Sequence, residues 1–406
     1  MENGTRDSLI KGAVTKQIDK IYPSREALET VLKSVKKLTI YWGVDPTAPN
    51  LHIAHGANLF ILKRFQKLGH KIVVLFGDFT AQIGDPTGKT KKRLPLTQKQ
   101  VMNNLKNYKN QVLKILNPKE TQFRLNGEWW RKISAKEFFD IADLITHQQL
   151  IEREMFQNRI ADGNPISIKE LLYPILQGYD SVALKTDAEL GGTDQLFNMM
   201  VGRDLVKVIL KKEKFVITKP ILTNPKTGQM LMSKTTGGAI FVNESPDQIF
   251  GKIMALPDEV ILECFKFCTD VDEGAIKDVD KRLAVGENPR NLKAELAFEI
   301  VKIYHGEKAA QKAEDEFNKV FREHKLPKNI PKCPNYPLKG IWNIIDLIVY
   351  VFTDLVFSKT QARRLVFGRA VKINDKIVDN QFETIDIDSK SGLIIQVGPI
   401  NFKKVK

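Results

Sequence analysis

Cysteine is scarce in this chain, with three in 406 residues, at Cys264, Cys268 and Cys333. That excludes a disulfide framework, and with no histidine pair nearby it excludes a cysteine-based zinc site. Cys264 and Cys268 fall on one helix face, and all three read as buried thiols in a reducing, cytoplasmic setting. Long apolar runs are missing too. The most apolar stretch, Ile344 to Phe357, is broken by Asp346 and Asp354, so nothing reads as membrane-spanning. Residues 1–7 lack the apolar core of a signal peptide, and no internal repeat is visible. A phosphate-binding P-loop is also lacking. Gly88-Lys89-Thr90 has its ending, but Ile83 stands where the first glycine belongs and Pro86 interrupts the loop.

What is present is ordinary in bulk, at 42% hydrophobic and 27% charged residues, with length enough for two or three domains. The formal net charge of +15 is less ordinary and points to nucleic acid or another anionic partner.

The chain is organised around residues 41–56. Lys37–Tyr41 is rich in β-branched and aromatic residues and predicts a strand. Asp45-Pro46-Thr47-Ala48-Pro49-Asn50 is turn chemistry, because each proline pushes its predecessor out of the helical region. Leu51, Leu59, Leu62 and Phe65 then recur at helical spacing. His52 and His55 therefore sit where a strand hands over to a helix N-terminus, a place that favours anions. On these residues alone a polar turn with incidental histidines fits as well. Lys71–Asp78 is a near-continuous apolar run, as expected of a strand buried on both faces of a parallel sheet. Strand, helix and strand in this order predict a right-handed crossover and an open α/β sheet, with ligands beyond the carboxyl ends of the strands.

Further along, Ile83–Arg93 is a glycine-flanked, cation-loaded loop suited to closing over polyphosphate, or simply a solvated lysine-rich loop. Thr97 predicts the N-cap of a helix running through Val101, Leu105, Tyr108, Val112 and Leu116. Trp129-Trp130 opens a mixed stretch, helical from Ala135, that suits an insertion for partner contact or simply buried indoles. Tyr173, Gln177 and Asp180 share one face of a helical segment, either as satisfied core groups or as a polar substrate site. Ser181–Lys185 reads as a strand, and Gly191-Gly192 lets backbone approach a ligand before Asp194 and Gln195 open a helix. Phe215–Thr218 predicts another strand, and Met230–Gly238 a lysine-bearing loop. Residues 246–325 are helical in pattern, 326–340 form a proline-punctuated linker, and 341–406 a small α+β domain. In that last segment Ser358–Val366 is helical and basic, suiting a backbone-reading RNA module.

Together these pieces resemble class I aminoacyl-tRNA synthetases of the bacterial tyrosyl type. His52-Ile53-Ala54-His55 stands in place of the family's His-Ile-Gly-His, and Leu231-Met232-Ser233-Lys234-Thr235 in place of Lys-Met-Ser-Lys-Ser. Gly84–Gly88, Gln177–Asp180, Gly191–Gln195 and a tail similar to the αL RNA-binding fold keep the order and spacing of the family. The resemblance implies an α/β fold: a Rossmann-like catalytic domain over 1–245 with an inserted helical segment, then a helical domain and an αL-type RNA-binding domain. It implies that Tyr41 and Asp180 hold a tyrosine hydroxyl, that Asp85, Tyr173 and Gln177 bind its ammonium, and that Gln195 lies near its carboxylate. It implies ATP, with Mg2+, bound at Gly43, Asp45, Ala54, Gly192 and Asp194. Thr47, His52, His55, Lys89, Arg93, Lys234 and Thr235 would stabilise the departing pyrophosphate. Arg363, Arg364, Arg369 and Lys372 would face tRNA(Tyr), and the enzyme would be a cytoplasmic homodimer with no metal of its own and no membrane contact.

Two departures stand out. Ala54 replaces a glycine whose bare backbone admits adenine, and Leu231 replaces a lysine, which together imply a slower ATP step. The tryptophanyl branch shares the motifs, and a non-catalytic RNA-binding relic would explain Ala54 and Leu231. Tyr41 with Asp180 favours a phenol over an indole, and His52, Asp85, Gln195 and Lys234 favour a working enzyme.

Overall fold

The computed structural model describes residues 3–86, 96–232, 238–322, 330–388, 392–398 and 401–406. By contacts the chain divides into two compact units, Met1–Glu244 with Leu256–Glu307, and Ser245–Ala255 with Lys308–Lys406.

The first unit is built on a mixed sheet of β1 (Ile21–Tyr22), β2 (Thr39–Val44), β3 (Lys71–Phe76), β4 (Thr121–Leu125), β5 (Ala188–Gly192) and β6 (Phe215–Lys219). Its order is β1-β6-β5-β2-β3-β4, and only β1 runs antiparallel to its neighbour. Central position explains composition. β3 lies between β2 and β4, and after exposed Lys71 its five residues Ile72–Phe76 are all buried. The helix Gly56–Lys67 bridges β2 and β3 and buries Leu59, Phe60, Ile61, Leu62 and Phe65. Its glycine start is required by packing: a Cβ on Gly56 would lie 2.5 Å from the Tyr304 hydroxyl oxygen.

Strand order reverses between β2 and β5. From β2 the chain moves outward through β3 to β4, and from β5 it moves the other way to β6. In open α/β sheets a crevice forms beyond the carboxyl ends of the strands at such a reversal. Here those ends run into Asp45–His55 and Gly191–Gln195.

Two readings change. Ser181–Lys185 is not a strand: Ser181, Val182 and Ala183 complete the helix Tyr173–Ala183, and β5 begins at Ala188. Pro174 in the first turn starts that helix, and burial of Ile175, Val182 and Ser181 along it outweighs one β-branched residue. Thr97 does cap a helix, its hydroxyl accepting from Gln100 N while Gln100 answers in a capping box. That helix, however, ends at Leu105, and a short one follows at Tyr108–Val112.

In the second unit, the helix Pro246–Met254 meets the helix Glu307–Arg322 through Phe250 and Phe317, whose ring centroids are 5.3 Å apart. The remaining strands are β7 (Ile341–Asn343), β8 (Val371–Ile373), β9 (Lys376–Ile377), β10 (Thr384–Asp386), β11 (Ile394–Val397) and β12 (Asn401–Lys404). They form an antiparallel sheet ordered β12-β11-β8-β9 and a β10-β7 pair. Ile344, Leu347, Ile348 and Val351 of the helix Ile344–Val351 pack with Val371, Ile395 and Val397 into this unit's core. Among the described residues, no helix is long and apolar enough to cross a membrane.

Candidate active site

The site grows from the two strand ends at the reversal point. Tyr41, third residue of β2, points inward and is only 1% exposed. The helix Tyr173–Ala183 brings Tyr173, Gln177 and Asp180 to the same region at helical spacing. Asp180 is buried, and three donors converge on its carboxylate: Trp129 Nε1 at 2.9 Å, Trp130 Nε1 at 3.0 Å and Asn126 Nδ2 at 3.2 Å. Burial pushes the Asp180 carboxyl up to about 8 even though those donors pull the other way. Burial likewise raises the Tyr41 phenol well above its ordinary value, helped by the negative Glu189 and Asp180. A hydroxyl and a carboxyl thus lie buried near each other, close enough for the charge of Asp180 to act on Tyr41.

At the other end, Tyr173 donates to Asp45 Oδ2 at 2.9 Å, and Thr80 donates to Asp45 Oδ1 at 2.7 Å. Because its hydrogen goes to Asp45, Tyr173 faces the site as an acceptor, which suits an ammonium, a pure donor. Gln195 Nε2 donates to Asp85 Oδ2 at 2.8 Å and to Asp194 Oδ2 at 3.2 Å. Gly192 caps the short turn Thr193–Gln195, and a Cβ there would run into the Asp194 carboxylate. Glycine at 192 thus keeps Asp194 where it stands.

The histidine turn also folds as a unit. His55 N donates to His52 O at 2.9 Å, His55 Nδ1 lies 3.1 Å from His52 N, and the two rings sit 3.7 Å apart. Thr47 N donates to Asp45 O at 2.8 Å, closing the preceding turn. Ala54 is 9% exposed and lies between the histidines in the turn Ile53–His55. Gly43, near the end of β2, is exposed, with open space where a Cβ would be apart from Tyr41 at 3.8 Å. Ile53 N donates to Ile240 O at 3.0 Å and Val242 N to Leu51 O at 3.0 Å. The segment that follows the second motif is therefore tied to the first. Lys89, Arg93, Lys234 and Thr235 lie outside the described residues.

Several site residues were not found from sequence. In sequence Trp129 and Trp130 suit an insertion or a core, yet both donate to Asp180. Asn126, fully buried, also braces the site by donating to Thr80 at 2.9 Å. Arg153 is buried beside the rings of Phe156 and Phe197 and feels Asp85 and Asp194. Their signal was slight: adjacent tryptophans after a glycine, and an arginine in a mixed helical stretch.

In the second unit, Arg363 and Arg364 are exposed on the helix Lys359–Phe367, which Ser358 caps. Arg369 has a left-handed φ of 55° and pairs with Asp379 at 3.6 Å, and half-buried Lys372 lies on β8.

Comparison with known proteins fits this geometry. The family model for class I tRNA synthetases (W and Y) matches residues 33–322. A tyrosine–tRNA ligase of Carboxydothermus hydrogenoformans is 40% identical over 97% of this chain and 96% of its own length. The chain belongs to the tyrosyl branch of the class I tRNA synthetases. A second tyrosine–tRNA ligase, from Thermotoga maritima, is 38% identical over 94% of each chain. Among solved structures, the C-terminally truncated mitochondrial tyrosyl-tRNA synthetase of Coccidioides posadasii superposes with a TM-score of 0.61 at 26% identity. That match covers 76% of this chain and 90% of the other. The six-stranded sheet is thus the Rossmann-like α/β sheet of this family.

Proposed function

We propose that this chain is a tyrosine–tRNA ligase that activates L-tyrosine with ATP and then transfers it to tRNA(Tyr). The observation that carries the choice of amino acid is the buried Tyr41–Asp180 pair, with three donors fixed on Asp180. A phenol hydroxyl meets partners there. Phenylalanine would leave buried polar groups unpaired, a penalty that reaches a discrimination of about 10⁵ in a hydroxyl-reading site; the worked example of that figure is this enzyme family.

The tyrosine ammonium is assigned to Asp85, Tyr173 and Gln177, with Gln195 near its carboxylate. ATP lies along Gly43, Asp45, Ala54 and Gly192, with Asp194 at its ribose and Thr47, His52 and His55 at its phosphates. The tyrosine carboxylate attacks the α-phosphorus in line, the bond to the β-phosphate oxygen breaks, and pyrophosphate leaves with its electron pair. A terminal tRNA hydroxyl then attacks the acyl carbon and AMP departs. Neither step needs a protein nucleophile, so positioning and charge stabilisation supply the rate. Lys89, Arg93, Lys234 and Thr235 are assigned to the charge building on pyrophosphate. Among the described residues, no group of three or more His, Cys, Asp or Glu side chains gathers to hold a metal ion. Mg2+ is assigned to the ATP phosphates, as part of the substrate. Arg363, Arg364, Arg369 and Lys372 are assigned to the tRNA backbone, and the working form to a cytoplasmic homodimer.

The test is amino-acid-dependent ATP–pyrophosphate exchange with tyrosine, phenylalanine and tryptophan in parallel. Exchange with tyrosine alone is expected. Exchange with tryptophan would overturn the Tyr41–Asp180 assignment, and none with any would favour an RNA-binding relic.

A further inference from the structure

Beneath the pocket lies an ion pair that the reading above does not use. Lys214, just before β6, has a fully buried side chain, and its partner Glu189 on β5 is 2% exposed. Their contact is very close, and Lys214 Nζ also donates to Ser181 Oγ at 2.7 Å. Burying two charges between neighbouring strands carries a desolvation cost that pairing only offsets, so the pair is weak evidence of a purely stabilising role.

We propose that Glu189, held by Lys214, sets the hydrogen-bond polarity of the tyrosine pocket through Ser181 and Gln177, turning Tyr41 into an acceptor for the substrate hydroxyl. This rests on the assignment of Tyr41 and Gln177 to tyrosine made above. Ser181 Oγ has three neighbours: the Lys214 ammonium, Glu189 Oε2 at 3.2 Å and the Tyr41 hydroxyl at 2.9 Å. The ammonium can only donate and the carboxylate can only accept. Ser181 has one hydrogen, and the carboxylate is the stronger acceptor for it. Tyr41 then donates inward to Ser181 and offers its lone pairs to the substrate's hydrogen, while Asp180, which burial keeps protonated up to about pH 8, supplies the hydrogen that the substrate oxygen accepts.

Glu189 acts the same way at the ammonium end. Its Oε1 takes Gln177 Nε2 at 3.4 Å, which turns the Gln177 carbonyl towards Asn198 Nδ2 at 2.8 Å. A second lone pair on that carbonyl remains for the ammonium. Tyr173 provides the parallel, since it too spends its hydrogen on a carboxylate, Asp45. One buried carboxylate thus makes acceptors of Tyr41 and Gln177, at opposite ends of a substrate that brings hydrogens at both. Glu189, Lys214 and Ser181 are positioning residues; none touches the reacting atoms.

Two variants of the full chain test this by pyrophosphate exchange. Ser181→Ala removes the relay while leaving the ion pair. The double variant Glu189→Gln with Lys214→Met removes the pair without stranding a buried charge. In both, the KM for tyrosine is expected to rise about tenfold, the loss of one hydrogen bond, with the KM for ATP within about twofold of wild type. The decisive readout is 3-fluorotyrosine, whose phenol donates better and accepts worse. Once Tyr41 is free to donate outward, the ratio of kcat/KM for 3-fluorotyrosine to that for tyrosine falls below the wild-type ratio. Wild-type tyrosine KM and an unchanged ratio in both variants would overturn the proposal. Absence of tyrosine-dependent exchange in the wild type would instead count against the proposed function.

Discussion

The two ends of the site proposed for tyrosine and ATP are built on opposite plans. At the phenol end, Asp180 and Tyr41 are 4% and 1% exposed, and donors and acceptors are already paired before any ligand arrives. At the ATP end, Thr47, His52 and His55 are half-buried and Asp194 is exposed, and all four sit on turns rather than inside strands. A dry, braced end suits discrimination, because an unpaired group there is costly. A wetter end suits charge that builds and departs, since pyrophosphate must enter as part of ATP and leave as product. The proposed assignment thus separates selectivity from turnover along the strand ends.

The sharpest way to break this comparison is through Asp180 itself. Its folded-state pKa of about 8 lies above the ordinary carboxyl value, so the fold binds a proton that the unfolded chain has released. That contribution is fully present below about pH 4 and is lost as pH rises through about 8. Asp180→Asn has no such component. Between pH 5 and pH 9 the wild type should lose roughly 3–5 kcal/mol of stability relative to that variant, read by denaturant unfolding. A difference flat with pH would mean that this end of the site is wetter than its burial implies.

A smaller effect is expected at the phosphate end. Restoring the family residues with Ala54→Gly and Leu231→Lys should lower the KM for ATP or raise the exchange rate by a few fold, within about 1 kcal/mol, and leave the KM for tyrosine alone. Unchanged ATP kinetics would remove the idea that these two positions slow the ATP step.

How much could be read in advance follows the same division. β2, β3 and β6 were legible because local composition decides a buried strand, and the histidine turn because proline and spacing decide a strand-to-helix handover. The polar face of Tyr173, Gln177 and Asp180 was legible because helical spacing is local. What joins Asp180 to Trp129 and Trp130 was not, because about fifty residues separate them and only the packed sheet brings them together. Glu189 and Lys214 were hidden for the same reason. Glu189 is a lone charge in β5 and Lys214 one just before β6, and only their pairing gives either a role. Ser181 was misread outright, since three residues of a helix end resemble a short strand when the partner elements are unknown.

The most direct measurement of the central claim is the ratio of kcat/KM for tyrosine to that for phenylalanine, in the wild type and in Asp180→Ala, which removes the carboxyl where an amide would still donate. A braced hydroxyl reader predicts a ratio of at least about 10⁴ in the wild type. It predicts a fall of about a hundredfold or more in the variant, with the KM for ATP unchanged. A wild-type ratio near that of the variant would contradict the account, because discrimination would then arise somewhere other than the buried end of the site.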